Sequence, residues 1–515
     1  MQVYTGPGDT NHSIEEASNG HKSVLRTLVV SGILTLLGYV AFFLLLQSTS
    51  LWVAPTLLAD RLPSVYALLK DVVVKFLDGI NRGGDYGVLN SRIYLGIMAC
   101  LFTIYIITLV RLFKGRVALG KSGKAALRVI MLFTALILVL LLFLPGTFTT
   151  DLFAYAWYGF IFAVQGGNPY IDVPIKYAAI DTGNWMQYLF WKDQPNVYGP
   201  IWTLLAGGIA KVAQAGDNHL FNHLLGHRLL ASAAHLANIW LVWRVSGIIA
   251  RRYPFMRDGR ENGRFNAQPA AEEATDTVPG AHAGWIPLAQ VAATATYAWN
   301  PLLLVEFSAS GHNDVLVLTA SLAAIWLHLA GKWRLAVLAL TVGMLIKMLP
   351  ALFFLAAYVA YLFWQEHRIG SLPLMASRIA RVAQAAIIVG VVWVVAWLPF
   401  LGPVKTVEVF TNSPGSKFYI HSMGTVIRYT IPDDISVYAA QHGWQPADQW
   451  TALALGQRLD KPTRNTLFLL TAVIIALHLW RARNFRRMLL AMGWATMAYV
   501  LVGSTWFWPW YTSWL

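Results

Sequence analysis

The 515-residue chain is 57% hydrophobic and only 12% charged, and its mean hydropathy is +0.52. This composition excludes a soluble domain of such length, and repeated apolar runs predict a polytopic membrane protein. The net charge of +14 is not read as nucleic-acid affinity, because Lys and Arg collect on the cytoplasmic side of membrane proteins and no basic-aromatic nucleic-acid module is present. Cys100 is the single cysteine, which excludes an intramolecular disulfide and a Cys-based metal site.

In chain order, the apolar runs predict an all-α membrane helix bundle with about 11 spanning helices and surface-lying helices in its outer loops. The clear candidates are residues 25–47, 93–113, 128–146, 225–249, 286–306, 314–331, 382–400, 464–480 and 487–505. Residues 1–24 are predicted to be a cytoplasmic tail, and residues 25–515 a single transmembrane domain.

One apolar run, between residues 335 and 365, is interrupted by Lys347 and Pro350. Proline removes a helix hydrogen bond, so the sequence predicts one helix that ends near residue 346 and a second that begins near 351. Helices broken at membrane depth are tolerated only where protein or a wet cavity covers the break.

The basic segments predict the orientation in the membrane. Segments 111–128, 251–264, 332–334, 367–381 and 481–487 are placed in the cytoplasm together with the N-terminus. Residues 147–224 and 401–463 then become outer loops, and 251–284 a flexible cytoplasmic loop. This topology is consistent only if the short segment 199–215, which contains two glycines and Lys211, lies at the outer surface without crossing the membrane. The alternative, a true crossing, would expose the arginine-rich 251–264 segment outside.

Asp151 is the most informative single residue. It follows a long apolar run and precedes an aromatic segment rich in turn signals. Ionisable groups at membrane depth default to a functional interpretation. The alternative is that Asp151 caps the following helix, since Thr149, Thr150 and Asp151 are all good capping residues.

With this topology, other polar residues converge on the outer face. They are Arg228, Glu306, Gly311-His312-Asn313-Asp314 and Lys347. Each has a structural alternative: Arg228 as an interfacial anchor, Glu306 to Asp314 as an ordinary loop, and Lys347 as a snorkelling lysine.

Taken in order, these motifs resemble a known family. They are Asp151-x-x-x-Tyr155, Gly167-Asn168-Pro169-Tyr170, Tyr198-Gly199-Pro200, Asn300-Pro301 with Glu306 and Gly311-His312-Asn313-Asp314, Lys347-x-x-Pro350, and a closing Trp510-Tyr511. The pattern resembles the GT-C class of integral-membrane glycosyltransferases, and most closely the polyprenol-phosphomannose-dependent α-mannosyltransferases of bacterial cell envelopes. The sequence is expected to depart from that pattern at both ends: two helices are predicted before the motif helix, and no terminal helix is predicted within the sequence.

The resemblance implies an inverting glycosyltransferase of the cell membrane with an extracytoplasmic active site. Its donor would be a polyprenyl-phosphate sugar, with mannose expected, and its acceptor a cell-envelope glycan or glycolipid. Asp151 matches the essential acidic residue and is predicted to be the catalytic base, while Asp314 resembles a second acidic position. Arg228 and Lys347 are predicted to bind the donor phosphate. Predicted substrate contacts are Tyr155, Tyr158, Asn168, Tyr170, Tyr198, Glu306, His312, Asn313, Asp314, Trp510 and Tyr511.

Two questions stay open from the sequence. A divalent cation, Mg²⁺ or Mn²⁺, would suit oxygen ligands from Asp151 and Asp314, with His312 as a further candidate ligand, although many members of the class need no metal. The alternative function is a lipid or polysaccharide transporter or flippase without chemistry, since broken helices and buried charges fit that class too. Against it, the sequence has no matched pair of interrupted helices, and its polar residues are predicted at the outer surface.

Overall fold

The computed structural model describes residues 8–48, 61–81, 86–114, 122–145, 149–252, 288–366, 369–400, 422–505, 507–508 and 511. Every regular element among them is helical, which confirms the predicted all-α fold. Most of the predicted 251–284 loop, the first part of the 401–463 loop and Trp510 lie outside the described residues.

Fifteen helices of ten or more residues are used below as landmarks of the described chain. They are α1 Gly8–Ser48, α2 Pro63–Asn81, α3 Tyr86–Lys114, α4 Ser122–Leu142, α5 Asp151–Ala163, α6 Pro200–Ala215, α7 Leu220–Arg252, α8 Leu288–Ala298, α9 Asp314–Leu329, α10 Trp333–Ile346, α11 Met348–Trp364, α12 Leu374–Trp397, α13 Ile431–Gln441, α14 Ala452–Trp480 and α15 Phe485–Ala498. Short π-helical turns at Leu304–Ala309, Val426–Thr430 and Tyr499–Gly503 join some of them.

Six of the described helices are long and apolar enough to cross a membrane. These segments are Lys22–Gln47, Gly87–Phe113, Gly123–Leu142, Leu220–Ala250, Leu374–Phe400 and Ala452–Trp480. Three shorter apolar helices are α9, α10 and α11, and the remaining predicted spans are divided into helical pieces of 14 residues or fewer. A span of about 20 residues is the usual requirement, so interruption explains why fewer helices meet it than the apolar runs predicted.

The predicted break between two apolar helices is confirmed. Helix α10 ends at Ile346, Lys347 has an extended backbone with φ −146° and ψ 114°, and α11 begins at Met348. The second helix therefore starts slightly earlier than expected. Pro350 lies in its first turn, where a missing backbone N–H removes no intrahelical hydrogen bond.

The described chain divides into two compact units. Unit 1 comprises Met1–Phe148 with Arg228–Ser310, and unit 2 comprises Thr149–His227 with Gly311–Leu515. Unit 1 has an apolar core of large side chains from α1, α3, α4 and the π turn that follows Asn300. Its buried members include Tyr39, Phe42, Leu101, Ile137, Leu141 and Leu304.

Unit 2 contains a parallel pair of short helices, α5 and α6. Tyr155 packs edge-to-face on Trp202, with ring centroids 4.8 Å apart. One turn further along, an added Cβ at Gly159 would lie 2.3 Å from the carbonyl oxygen of Ala206. The close approach of the two backbones explains why residue 159 is a glycine. Because residue 155 pairs with 202 and residue 159 with 206, the helices are parallel and begin at the same end of unit 2.

A helical hairpin, α9 and α10, forms a second part of unit 2. Gly331 turns the chain between the two helices with φ +76°, a conformation that glycine adopts without strain. The hairpin is antiparallel, because Asp314 at the start of α9 contacts Lys347 just after the end of α10. The start of α9 and the end of α10 therefore lie at one end of unit 2.

Candidate active site

Asp151 occupies the first helical position of α5. Its carboxylate is 15% exposed and accepts a hydrogen bond from the Tyr198 hydroxyl at 3.0 Å. The Nε2 atom of His312 lies 3.9 Å from the same carboxylate oxygen. Thr150, not Asp151, is the N-cap residue, and the described side chain of Asp151 makes no capping bond. The Asp151 carboxylate thus faces side chains of unit 2 rather than the backbone of its own helix.

The loop that carries Tyr198 is fastened by a buried hydrogen-bond network. The Tyr170 hydroxyl donates to the Tyr198 carbonyl and also bonds the Thr203 hydroxyl, both at 2.8 Å. Asn196 donates to Thr203 at 2.7 Å and accepts from the Tyr198 backbone N–H at 3.0 Å. Asn168 closes its own turn by accepting from the Tyr170 N–H and donates to the Phe400 carbonyl. In this arrangement Asn168 and Tyr170 hold the loop that presents Tyr198.

Gly199 joins this loop to the helix break. Its N–H donates to the Ile346 carbonyl at 2.9 Å. Ile346 is the last residue of α10, so its carbonyl is one of the helix-end carbonyls that lack an intrahelical partner. The approach is close, since a Cβ at Gly199 would lie 2.0 Å from the Leu345 carbonyl oxygen. The Tyr-Gly-Pro motif at 198–200 therefore packs directly against the helix end that precedes the Lys-x-x-Pro motif at 347–350.

Lys347 and Asp314 form an ion pair beside this contact. The Lys347 Nζ atom lies 2.9 Å from each oxygen of Asp314. The Asp314 side chain is fully buried, whereas that of Lys347 is 16% exposed. The lysine ammonium also lies 5.2 Å from the ring centroid of Tyr511. Burial, together with the nearby carboxylates, raises the pKa of Tyr511 well above its ordinary value.

These contacts bring four helix N-termini together within unit 2. Helices α5 and α6 begin beside the Tyr198–Asp151 hydrogen bond. Helices α9 and α11 begin on either side of the Asp314–Lys347 pair, and the Gly199–Ile346 bond links the two pairs. A helix N-terminus carries about half a positive charge and several unpaired N–H groups. The cluster is therefore a favourable environment for an anion.

The predicted aromatic substrate contacts are mostly buried. Tyr155, Tyr158 and Tyr170 are 0%, 3% and 1% exposed. Burial raises the pKa of all three, and the Asp151 carboxylate adds to the increase at Tyr155 and Tyr158. Their described contacts are packing and loop fastening; Tyr158, for example, donates to the Gln194 carbonyl at 3.0 Å. Their roles as sugar-binding rings remain predictions.

His312 and Asn313 lie in the turn before α9, which Gly311 enters with φ +72°. Both side chains are buried, at 0% and 1% exposure. His312 is the residue that approaches Asp151. Among the described residues, neither amide atom of Asn313 has a hydrogen-bond partner. A buried amide without partners is costly, so Asn313 is the predicted substrate contact with the clearest unmet hydrogen-bonding capacity.

Two predicted site residues, Arg228 and Glu306, belong to unit 1. The Arg228 guanidinium donates to the carbonyls of Leu142, Leu144, Pro145 and Ala309. It thereby satisfies carbonyl groups at the C-terminal end of α4, which a buried helix end requires. Glu306 is 8% exposed within the π turn Leu304–Ala309. Phosphate binding by Arg228 and substrate binding by Glu306 stay predictions.

The predicted metal ligands, Asp151 and Asp314, are not part of a larger group of possible ligands among the described residues. No group of three or more His, Cys, Asp or Glu side chains among the described residues is placed to hold a metal ion. Both oxygens of Asp314 also bond Lys347. A divalent cation held by Asp151 and Asp314 stays a prediction, and the mechanism below uses none.

Sequence reasoning missed Asn196 and Thr203, which are fully buried and hold the Tyr198 loop. A local signal for Asn196 existed, because Asn is typical of turns and stands two residues before Tyr198. Thr203 had no such signal, since a threonine in the first turns of an apolar helix is ordinary.

Comparison with known proteins gives a family match over part of the chain. A family model described as "Alpha-(1->6)-mannopyranosyltransferase, N-terminal domain" matches residues 62–253, a range that contains Asp151 and the Tyr198 loop. No curated protein and no solved structure gives a significant match to the chain. The family supports mannosyltransferase activity. Residues 62–253 are therefore similar to the N-terminal domain of the alpha-(1->6)-mannopyranosyltransferase family, which confirms the GT-C-like mannosyltransferase resemblance.

Proposed function

We propose that the protein transfers mannose from a polyprenyl-phosphate donor to a glycan or glycolipid acceptor at the outer face of the cell membrane, with inversion at the anomeric carbon. The single observation that carries this proposal is the convergence of four helix N-termini on Asp151, Tyr198, Asp314 and Lys347. The family match favours transfer chemistry over the alternative of a transporter or flippase.

In this proposal Asp151 is the base. The Asp151 carboxylate takes the proton of an acceptor hydroxyl while that oxygen attacks the anomeric carbon. The bond between the anomeric carbon and the phosphate oxygen breaks, and polyprenyl phosphate leaves with the electron pair. Attack from the face opposite the phosphate inverts the configuration, so a single carboxylate suffices. The 15% exposure of Asp151 suits this role, because the group is reachable yet held by Tyr198.

The leaving phosphate gains negative charge as its bond to the sugar breaks. Lys347 is a fixed cation, and the four helix N-termini add unpaired N–H groups and partial positive charge. Groups already oriented toward developing charge stabilise a transition state without reorganisation. Lys347 is held by Asp314, which orients its ammonium group but also competes for it. A donor phosphate would therefore share Lys347 with Asp314.

The test is transfer of labelled mannose from polyprenyl phosphomannose by the purified full-length protein. Asp151→Asn preserves the size and hydrogen bonding of the side chain but removes the base, so kcat should fall about 10³-fold with the fold retained. Asp193→Asn is the matched control, because Asp193 is an exposed carboxylate in the same outer segment. NMR of the product should show the anomeric configuration opposite to that of the donor.

Near-normal mannose transfer by the Asp151→Asn variant would show that Asp151 is not the catalytic base. Retention of configuration would exclude direct displacement. Transfer from a nucleotide sugar, with none from the lipid phosphate, would contradict the proposed donor.

A further inference from the structure

A second cluster of functional interest lies at the opposite end of unit 2 from Lys347. Helix α11 starts next to Lys347 and ends 17 residues later at Trp364. At 1.5 Å per residue, Trp364 is roughly 25 Å from Lys347. Trp364 packs edge-to-face on Trp480 at the end of α14, with ring centroids 5.1 Å apart at 84°. Trp480 is 62% exposed.

Two arginines lie against this tryptophan pair. The Arg483 guanidinium carbon is 4.7 Å from the ring centroid of Trp364 and 5.9 Å from that of Trp480. The Arg378 guanidinium, from the first turns of α12, is 5.9 Å from the Trp364 ring. One indole therefore receives two guanidinium groups, from separate parts of the chain. Cation–π contact is favourable for each, but the two like charges oppose one another.

Neither arginine has an anion in the described chain. Arg378 and Arg483 make no ion pair and no side-chain hydrogen bond with a described residue, and the Arg378 Nε atom is buried without an acceptor. Residues 369–400 and 461–505 contain no Asp or Glu. The nearest carboxylates along the chain are Glu366, which is exposed, and Asp460, which pairs with Arg428 and Arg464. Arg381 differs, because it donates to the Gln365 carbonyl at 2.7 Å. A buried donor without an acceptor, such as Arg378 Nε, is unfavourable. The exposed Arg483 lies on the same indole, so the two guanidinium groups suit one anionic partner from outside the chain.

We propose that Arg378, Arg483, Trp364 and Trp480 form a binding site for the headgroup of an anionic phospholipid. The cluster lies at the ends of α12 and α14, which are long and apolar enough to span the membrane. Tryptophan favours the membrane–water interface, and guanidinium groups bind phosphate oxygens in a bidentate manner. Basic pockets between helix ends are suited to anionic headgroups. Exposed arginines at 481, 486 and 487 add positive charge beside the site.

The experiment measures lipid binding by native mass spectrometry of the full-length protein in detergent. Phosphatidylglycerol and phosphatidylcholine are titrated separately, and inorganic phosphate is the third ligand. The wild-type protein should bind phosphatidylglycerol several-fold more tightly than phosphatidylcholine. The double variant Arg378→Gln with Arg483→Gln should lose about tenfold or more of that affinity, because each removed arginine takes away charge-assisted hydrogen bonds.

The matched control is Arg334→Gln. Arg334 lies at the start of α10, the end of that helix away from Lys347. Its guanidinium also lies over an indole, 5.1 Å from the Trp333 ring centroid. Its guanidinium donates twice to Gln384, at 3.0 and 2.8 Å, so it needs no lipid. Binding of phosphatidylglycerol should be unchanged by this substitution.

The lysine variants Arg378→Lys and Arg483→Lys separate folding from recognition. They keep the charge but lose the bidentate geometry, so their affinity should be intermediate with an unchanged melting temperature. Equal binding of both lipids by the wild-type protein would overturn the proposal, as would equal loss in the Arg334 control. Phosphate binding that is as tight as phosphatidylglycerol binding would assign the site to a free anion instead. None of these measurements depends on mannose transfer.

Discussion

At the scale of single residues, the Asp314–Lys347 pair shows how burial and function meet. Asp314 is fully buried, and both of its oxygens bond one ammonium group that still reaches the surface. Removing one partner of a buried ion pair leaves the other charge without compensation, and this usually costs more than the pair contributes. Lys347 is therefore expected to matter for folding as well as for the donor phosphate.

We expect Lys347→Met to lower the free energy of unfolding by about 2 kcal/mol, because Asp314 loses its cation while Lys347 itself is partly solvated. Thermal unfolding in detergent measures the loss. Adding Asp314→Asn should restore most of the stability but not mannose transfer. Lys192→Met, at an exposed position of the same unit, is the control. If the double variant regains transfer, then Lys347 serves only to neutralise Asp314.

At the scale of secondary-structure elements, the contact between Gly199 and the α10–α11 break links the two parts of the candidate site. The Tyr198 loop reaches Asp151 on one side, and the break presents Lys347 on the other. A backbone hydrogen bond from Gly199 to Ile346 connects them. The Ile346 carbonyl is available because α10 ends at this residue and Lys347 has an extended backbone.

Gly199→Ala should reduce kcat about 10²-fold, because its Cβ would lie 2.0 Å from the Leu345 carbonyl oxygen and the loop must move away. Mannose transfer at saturating donor measures the effect. Gly208→Ala is the matched control: no atom lies within 4 Å of its added Cβ, and alanine favours the interior of α6. Equal loss in both variants would show that glycine is needed for helix packing rather than for the loop contact.

At the scale of the whole molecule, unit 2 concentrates buried tyrosines around one carboxylate. Burial raises the pKa of Tyr155, Tyr158, Tyr170 and Tyr198 above the ordinary value of 10.0. Below about pH 10 these phenols are neutral in both the folded and the unfolded chain, so they add no pH dependence. Above it the unfolded chain releases protons that the folded chain keeps.

The free energy of unfolding should therefore fall above about pH 10, by about 1.4 kcal/mol per pH unit for each of these tyrosines. Melting temperatures from about pH 8 to about pH 11, followed together with tyrosinate absorbance, measure the decline. Tyr170→Phe should make the decline of the free energy of unfolding with pH shallower by the contribution of one tyrosine, about 1.4 kcal/mol per pH unit. Tyrosinate absorbance that develops fully at pH 10 in the folded protein would contradict the prediction.

The orientation in the membrane is also a property of the whole molecule. In a Cys100→Ala background, single cysteines at Thr182 and Ala215 should both react with an impermeant thiol reagent in intact cells, because α6 does not cross in the predicted topology. A cysteine at Lys332 should react only after permeabilisation. All three positions are exposed within unit 2. Labelling of Thr182 with protection of Ala215 would show that α6 crosses the membrane.

The sequence alone determined the all-α membrane fold, the break at Lys347, and the ordered motifs that indicated a mannosyltransferase. These features follow from local composition: apolar length, proline chemistry and turn residues act over a few positions and need no partner. The tertiary structure alone decided which motifs meet. It joined Gly199 to Ile346 and Tyr198 to Asp151, and it assigned Arg228 to carbonyls at and just after the end of α4 in unit 1. Such contacts connect residues about 50 to 150 positions apart, and their pairing depends on how helices pack rather than on any local pattern.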